Sequence, residues 1–159
     1  MLVTSFKRQT FAGVSVLLFA LLLGKSATTV AQGDISVRQG EFEVFYSAFN
    51  TSFLSPEVAA AIPVVRARNR GLLNISVVKH TVDGTQVPVA ASNISGESFD
   101  LLHRRKLEFQ EVIETGARYY LAPFKITNDN ELIVFDVQVV PRGSEQAITL
   151  KIERRFFHN

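Results

Sequence analysis

The sequence predicts an all-β fold, an antiparallel two-sheet sandwich of immunoglobulin-like type with about seven strands and one short helix. Two segments near the carboxyl end alternate apolar and polar residues, from Ile133 to Val139 and from Ile148 to Glu153. A period of two places one face of a strand on a core and the other in water, as in antiparallel sheets. Turn-forming residues recur at intervals of about ten positions, which keeps the strands short. Two packed sheets accommodate such strands, and a small barrel is the alternative.

The other strand candidates are rich in β-branched and aromatic residues and are separated by turn signals. These strands are Glu41–Phe49, Leu72–His80, Gln86–Ala91, Leu107–Val112 and Ala117–Phe124. The predicted turns are Asp83-Gly84, Thr115-Gly116, Asn128-Asp129-Asn130 and Pro141–Ser144. The chain has no cysteine and no tryptophan, so it lacks the disulfide and the buried indole of antibody domains. We expect phenylalanine, of which the sequence has thirteen, to supply the bulk of the core instead.

One short helix is predicted from about Pro56 to Ala61. Ser55 can cap free backbone N–H groups, a proline suits the first turn, and Glu57 lies at the positive end of the helix dipole. The helix ends early because Pro63 disfavours helical geometry at the residue before it.

Residues 1–31 are predicted to be a secretory signal peptide. Two basic residues precede an uncharged apolar run from Phe11 to Gly24, and small residues up to Ala31 allow cleavage before Gln32. A membrane-spanning helix needs roughly twenty apolar residues, so no stable membrane anchor is expected after cleavage. An uncleaved amino-terminal anchor is the alternative. The remaining residues, 32–159, are predicted to form a single β-sandwich domain.

Composition favours an exported bacterial protein. Removal of the three basic residues of the leader lowers the basic count from 17 to 14, against 15 acidic residues, so the domain is nearly neutral. This balance gives no reason to expect a nucleic-acid partner. Small secreted eukaryotic modules seldom lack cysteine, and we therefore predict the periplasm of a Gram-negative bacterium as the location.

The chain contains, in this order, the segments FYSAFNTSFLSPEVAAA (45–61), LLNISVV (72–78), LEFQEVIETGARYYLAPF (107–124) and LIVFDVQVVP (132–141). Together they resemble a family of exported gammaproteobacterial proteins known only as a domain of unknown function (domain of unknown function 4426). The resemblance implies a single all-β periplasmic domain and brings no assigned activity. In one place the sequence departs from the family, because an Asn-Leu and a following Gly-Gln pair are expected where the chain has Phe99-Asp100-Leu101-Leu102-His103-Arg104.

No sequence pattern indicates catalysis, a metal ion or a cofactor. His80, His103 and His158 lie far apart without metal-binding spacing, and we expect them at exposed strand ends and loops. No serine lies in a nucleophile elbow, and no glycine-rich loop is suited to bind phosphate. Glu111 and Glu114 are expected to be solvated charges on opposite sides of a strand. The sequence therefore predicts a protein that is not an enzyme.

Three arginines are the candidate binding residues. Arg66, Arg68 and Arg70 alternate with Ala67 and Asn69, so an extended backbone would place the three guanidinium groups on one face. Such a face suits a carboxylate, a phosphate, a sulfate or an acidic partner strand. The alternative is a charged strand face that protects a sheet edge from aggregation.

Two further segments have both a structural and a binding interpretation. Arg104-Arg105-Lys106 is expected to be a solvated loop, because consecutive side chains point to different faces. In Asn50–Leu54, the Asn50 and Thr51 side chains are expected to satisfy local backbone groups, and Phe53 to pack against the helix. A binding loop at one end of the sandwich is the alternative for this segment.

The leading functional hypothesis is a non-enzymatic periplasmic interaction module. It would bind another envelope protein through a sheet edge, an end loop or the three arginines. A binding protein for a small anionic or glycan ligand is the second hypothesis, and an enzyme assembled from distant strands is the third, because sandwiches have many functions. The sequence carries no signal for the oligomeric state.

Overall fold

The computed structural model describes residues 35–62, 64–114 and 116–158, which form two antiparallel sheets. The predicted leader and its cleavage site lie outside the described residues. One α-helix, α1 (Pro56–Ala61), and a 3-10 turn, Thr51–Phe53, lie between the second and third strands. No helix within the described part is both long and apolar enough to cross a membrane. The strands are β1 Ser36–Gln39, β2 Phe42–Asn50, β3 Arg70–His80, β4 Gln86–Pro88, β5 Ala91–Phe99, β6 Arg104–Lys106, β7 Gln110–Glu114, β8 Ala117–Lys125, β9 Glu131–Pro141 and β10 Ile148–Phe156.

The strands divide into a six-stranded and a four-stranded sheet. The six-stranded sheet has the order β1-β2-β3-β8-β7, and β4 pairs with the end of β3 beyond the last residue that pairs with β8. The four-stranded sheet has the order β10-β9-β5-β6. All strand pairs are antiparallel, and within the described residues no pairing joins the two sheets. The predicted two-sheet sandwich is therefore confirmed, and the barrel alternative is wrong.

The core lies between the inner faces of the two sheets. In β9 and β10, every apolar residue that the alternation assigned to the core is buried. Burying one large aliphatic or aromatic side chain contributes roughly 1.5–3 kcal/mol. The fully buried residues with the largest side chains include Phe135, Leu150 and Val137 from the four-stranded sheet, and Leu73, Ile75 and Val77 from the six-stranded sheet.

Three phenylalanines link the two sheets. The ring of Phe124 in β8 lies 4.9 Å from that of Phe135 in β9 and 5.0 Å from that of Phe156 in β10, measured between centroids. Both contacts are edge-to-face, the geometry that aromatic pairs prefer. Phenylalanine therefore supplies bulk at the centre of the sandwich, as the sequence predicts.

The outer face of the six-stranded sheet is also apolar. Leu72 and Leu121 point away from the other sheet, yet they are almost completely buried. The chain between β2 and β3 contributes two further buried side chains, Leu54 and Ile62, which lie outside the main core, and its turn Thr51–Phe53 packs against β3. This connection therefore covers part of the sheet.

The predicted helix is confirmed with its cap. The Ser55 hydroxyl accepts a hydrogen bond from the N–H of Val58 at 3.3 Å, and Ile62 after the helix is extended. The predicted packing of Phe53 is wrong, because this side chain is 59% exposed. Since Ser55 is the cap, Leu54 occupies the preceding position, from which a hydrophobic residue can pack on the helix, and it is Leu54 that is buried.

The sequence predicted about seven strands, and the structure contains three that were missed, β1, β5 and β6. The segment from Ala91 to Phe99 was overlooked because it is rich in Ser, Asn and Gly, yet it is an inner strand of its sheet. Its small residues allow close packing, since a Cβ added at Gly96 would lie only 2.8 Å from the carbonyl oxygen of Asp136 in β9. The small residues of β5 therefore allow it to pair closely with β9.

The predicted strand Leu107–Val112 is correct only in its second half. β6 ends at Lys106, β7 begins at Gln110, and the residues between them carry the chain from one sheet to the other. Leu107 is buried in the core at this crossing and donates its N–H to the carbonyl of Gly96 at 2.9 Å. Leu107 is apolar because it packs in the core where the chain passes from one sheet to the other, and not because it belongs to a strand.

Replacement of Gly71 by alanine should displace Phe124. A Cβ at Gly71 would lie 2.0–2.7 Å from three atoms of the Phe124 ring, so the ring must leave its contacts with the two other phenylalanines. We expect Gly71→Ala to lower the free energy of unfolding by about 2–3 kcal/mol, as overpacked cores do. Urea denaturation measures this loss.

Gly84→Ala is the control, because this turn residue has φ +84° and no atoms near an added Cβ. Only backbone strain opposes the substitution, and we expect a loss of about 1 kcal/mol. Equal losses for the two variants would contradict the proposed displacement of Phe124.

Candidate binding surface at one end of the sandwich

The strand registers bring distant segments to one end of the sandwich. β2 ends at Asn50, opposite Gly71, and β8 ends at Lys125, opposite Arg70. β10 ends at Phe156, opposite the first residue of β9. We call this region the basic end; it consists of residues 51–53, 64–70, 125–131 and 156–158.

Asn50 ties the carboxyl-terminal tail to this region. Its Nδ2 donates to the carbonyl oxygen of Phe157 at 2.6 Å and lies 3.4 Å from that of Arg68. The N–H of Ile126 donates to the carbonyl of Asn69 at 3.0 Å, which adds the connection after β8. Asn50 is only 4% exposed, so its amide is protected from competition by water.

Thr51 holds the arginine segment directly. Its hydroxyl accepts from the N–H of Ala67 at 3.0 Å and lies 3.2 Å from the carbonyl oxygens of Ala67 and Arg70, to which it can donate. Thr51 is 1% exposed. The prediction that Asn50 and Thr51 satisfy backbone groups is confirmed, although these groups belong to segments distant in sequence.

The extended strand predicted for the three arginines is wrong. Only Arg70 lies in a strand; Arg66 is in irregular backbone, and Arg68 is in a turn closed by a hydrogen bond from the N–H of Arg70 to the carbonyl of Ala67. The chain turns here because Thr51 binds the backbone on both sides of the turn. All three arginines are nevertheless exposed at the basic end.

A fourth cation, Lys125, was missed from the sequence. It lies directly opposite Arg70 in the β3–β8 pair, and both side chains are exposed on the outer face of the sheet. Like charges in this relation are destabilising. Within the described residues, no salt bridge involves Lys125 or any of the three arginines. The basic end therefore presents four exposed cations without a salt bridge in the described part, although Glu57 attracts Arg66 electrostatically.

The turn between β5 and β6 presents exposed apolar residues. Leu101 is 95% exposed and Leu102 is 84% exposed. The adjacent Asp100 carboxylate accepts from the N–H groups of Leu102 and His103, at 2.8 and 2.7 Å, and from Arg105 Nη1 at 2.7 Å. Burial alone would raise the pKa of Asp100, but these donors outweigh it and lower the pKa well below its ordinary value.

The basic triplet after this turn is a strand, and the predicted solvated loop is wrong. Arg104 pairs with Glu97 at 2.7 Å and also lies over the ring of Phe99, 4.2 Å from its centroid. Arg105 pairs with Asp100 at 2.7 Å. Lys106 pairs with a glutamate two residues later. These cations thus have carboxylate partners at salt-bridge distance, whereas no salt bridge is found in the described part for the four at the basic end.

The three histidines lie apart, as expected, but His80 is mostly buried. Its Nε2 lies 2.7 Å from a carboxylate oxygen of Glu43, whose other oxygen accepts from the Ser36 hydroxyl at 2.6 Å. This network links β1, β2 and β3. The bond from Ser36 is the main reason that the pKa of Glu43 is lowered, with burial opposing it and His80 assisting. Within the described residues, no three His, Cys, Asp or Glu side chains are grouped to bind a metal ion.

Glu111 has a structural role. It accepts from Arg118 Nη1 at 2.5 Å and from the Tyr120 hydroxyl at 2.9 Å, and that hydroxyl accepts from the N–H of Ala91 at 2.7 Å. These bonds connect β7 and β8 to the start of β5 in the other sheet. Glu114 points to the opposite face, as the sequence predicts. Glu111 is thus partly solvated but paired.

Loss of the Thr51 hydroxyl should loosen the arginine segment. Thr51→Val keeps the shape of the side chain but leaves the buried N–H of Ala67 without its acceptor, and we expect a loss of about 1–3 kcal/mol. Faster amide exchange at Ala67 and an earlier urea midpoint would report this change. Thr51→Ser, which keeps the hydroxyl, is the matched control, and an equal exchange rate in the two variants would contradict this role.

The contribution of Glu43 to stability should depend on pH. Because the pKa of Glu43 is lower in the folded than in the unfolded chain, its contribution is fully present above the unfolded value, taken as 4.5, and disappears as the pH falls through the folded value. We expect Glu43→Gln to lower the free energy of unfolding by about 1 kcal/mol near neutral pH and by less at an acidic pH below the folded pKa. Denaturation at both pH values measures the difference. An equal loss at both would show that the carboxylate charge is not responsible.

Comparison with known proteins identifies the family. The model for "Domain of unknown function (DUF4426)" matches residues 36–159. A crystal structure of a DUF4426 family protein from Pseudomonas aeruginosa PAO1, at 2.09 Å resolution, shares 36% identity with this chain, with a TM-score of 0.65. The alignment covers 78% of this chain and 94% of that one. Among curated proteins no match is found. The family match and the similar structure agree on a domain without an assigned activity, and the chain belongs to the DUF4426 family.

Proposed function

We propose that this protein is a non-enzymatic interaction module of the bacterial envelope, and that its basic end binds an acidic surface of another envelope protein. The observation that carries the proposal is the group of four exposed cations without salt bridges in the described part. They are Arg66, Arg68, Arg70 and Lys125. An acidic partner would offset the repulsion between Arg70 and Lys125 and supply carboxylates for salt bridges with the four cations.

An extended acidic surface fits these cations better than a small anion. All four side chains are exposed, two of them on the connection before β3 and two at the ends of the neighbouring strands β3 and β8. A small ion there would remain hydrated, and each contact would be weak in water. Many simultaneous contacts with an acidic protein surface compensate for this weakness. The small anionic or glycan ligand is therefore the second candidate.

Hydrogen bonds that fix the backbone around the arginines support a binding role. Arg66 Nη2 donates to the carbonyl of Ser52 at 3.2 Å, while Thr51 fixes the backbone beside Arg68 and Arg70. A surface that is already ordered loses less entropy when a partner binds. Solubility alone would not require the backbone of an exposed, cation-rich connection to be held in one conformation. The hydrogen bonds that hold it therefore support a role in binding a partner.

The finer fold assignment and the location belong to the same proposal. The order β2-β3-β8-β7 facing β10-β9-β5 matches the immunoglobulin arrangement ABED facing GFC, with β1, β4 and β6 as added strands, and this supports an immunoglobulin-like sandwich. Binding through the loops at one end is common in such folds. Export to the periplasm rests on the predicted leader.

A photo-crosslinking amino acid at Val65 tests the proposal in cells. Val65 is 66% exposed and adjoins Arg66, so a bound partner would lie within reach. We expect a discrete adduct with an envelope protein, and Arg68→Glu should lower its yield at least about tenfold, equivalent to about 1.4 kcal/mol. The adduct is identified by mass spectrometry.

Arg142→Glu is the matched control, since Arg142 is exposed in the turn between β9 and β10 at the opposite end. It should leave the yield unchanged. An adduct that is insensitive to Arg68→Glu, or equally sensitive to both charge reversals, would count against the basic end as the binding surface.

A further inference from the structure

The turn between β5 and β6 displays two leucines that the fold itself does not use. Leu101 and Leu102 are the two most exposed large apolar side chains in the described part after Val82. The two leucines are adjacent and form one continuous apolar surface, and exposed apolar patches commonly mark binding surfaces.

The turn is rigid. Besides the backbone N–H groups and Arg105, the Asp100 carboxylate lies 3.1 Å from Nδ1 of His103, and the N–H of Asp100 donates to the carbonyl of His103 at 3.0 Å. The Asp100 side chain is only 5% exposed. Since the backbone is ordered in advance, burying Leu101 and Leu102 in a partner would require little additional ordering.

The strand register places this turn at the same end as the four cations. Phe99, the last residue of β5, pairs with Val134 in β9. From Val134, β9 continues back to Glu131, which belongs to the basic end. The two leucines and the cations thus lie at one end of the sandwich, on different sheets.

The two features supply different parts of a binding energy. Exposed charges accelerate association and select a partner, but contribute little affinity because water and salt screen them. Apolar side chains buried at the centre of an interface contribute most of the affinity. The four cations alone would give a fast but weak complex, and a nearby apolar anchor would lengthen its lifetime.

We infer that Leu101 and Leu102 belong to the same binding interface as the basic end and provide its apolar anchor. This inference rests on the proposed function and adds the chemistry of the partner, a protein surface that has an apolar pocket beside acidic residues. Arg66, Arg68, Arg70 and Lys125 orient that surface, and the two leucines enter its pocket.

The charges around the turn favour a protein over a lipid surface. Arg104 is paired with Glu97 and Arg105 with Asp100, so the neighbourhood of the leucines is close to neutral. Binding to an anionic bilayer relies on free cations directly beside the inserted residues, and the free cations of this end lie on or next to the other sheet. A pocket in a protein requires no such cations.

The test compares adducts from two positions in cells that produce the full chain. Photo-crosslinking residues are placed separately at Val65 and at Leu101, and the adducts are identified by mass spectrometry. We expect the same protein from both positions. With the residue at Val65, Leu102→Ser should lower the adduct yield at least about tenfold, because burial of a leucine is lost.

Val82→Ser is the matched control. Val82 is fully exposed in the turn between β3 and β4 at the opposite end, so this substitution removes the same kind of surface without touching the proposed interface. It should leave the yield unchanged. Thermal unfolding of each variant shows whether the fold is retained. We expect that it is, because both side chains are exposed.

Kinetics with the identified partner separate the two roles. Arg68→Glu should lower the association rate and weaken its dependence on salt, whereas Leu102→Ser should raise the dissociation rate. If Arg68→Glu lowers the adduct yield but Leu102→Ser does not, the inference fails and the proposed function stands. If no adduct responds to Arg68→Glu, both fail. A lipid adduct from Leu101 without a protein adduct would also overturn the inference.

Discussion

The edge-to-face contact of Phe124 with Phe135 and Phe156 spans the two sheets, and the position of the basic end depends on it. Gly71 leaves the space that the Phe124 ring occupies, because any side chain there would overlap the ring. With no cysteine in the chain, no disulfide can join the sheets, so apolar packing must do so. Lys125 directly follows Phe124, and the aromatic cluster therefore lies just beneath the segments that display charge.

Polar side chains hold the irregular backbone that connects the strands. A connection that leaves a sheet loses the strand ladder, and its buried N–H and carbonyl groups need other partners. Asn50 and Thr51 provide them for the arginine segment and the carboxyl-terminal tail. Asp100 does so for the turn between β5 and β6. The two exposed regions of greatest interest are thus both organised by nearly inaccessible polar side chains.

Some exposed cations of the surface form salt bridges, and others do not. Arg104, Arg105 and Arg118 each have a carboxylate within 2.7 Å, although such pairs at a surface contribute little stability. Arg70 and Lys125 face each other without one. An opposite charge at either position would favour folding, so the pairing of Arg70 with Lys125 is unfavourable for the fold by itself.

The sequence by itself determined the fold class, the helix Pro56–Ala61 with its Ser55 cap, and the inward faces of β9 and β10, because capping and alternation depend on residues close together in the chain. It also determined membership of the family. Only the tertiary structure decided that Ala91–Phe99 is an inner strand, since its small residues matter only against β9. The same holds for the turn at Arg68 and for Lys125 beside Arg70, which depend on Thr51 and on strand register. These arrangements are set by contacts between residues far apart in sequence, and such contacts form only when the core brings the two sheets together.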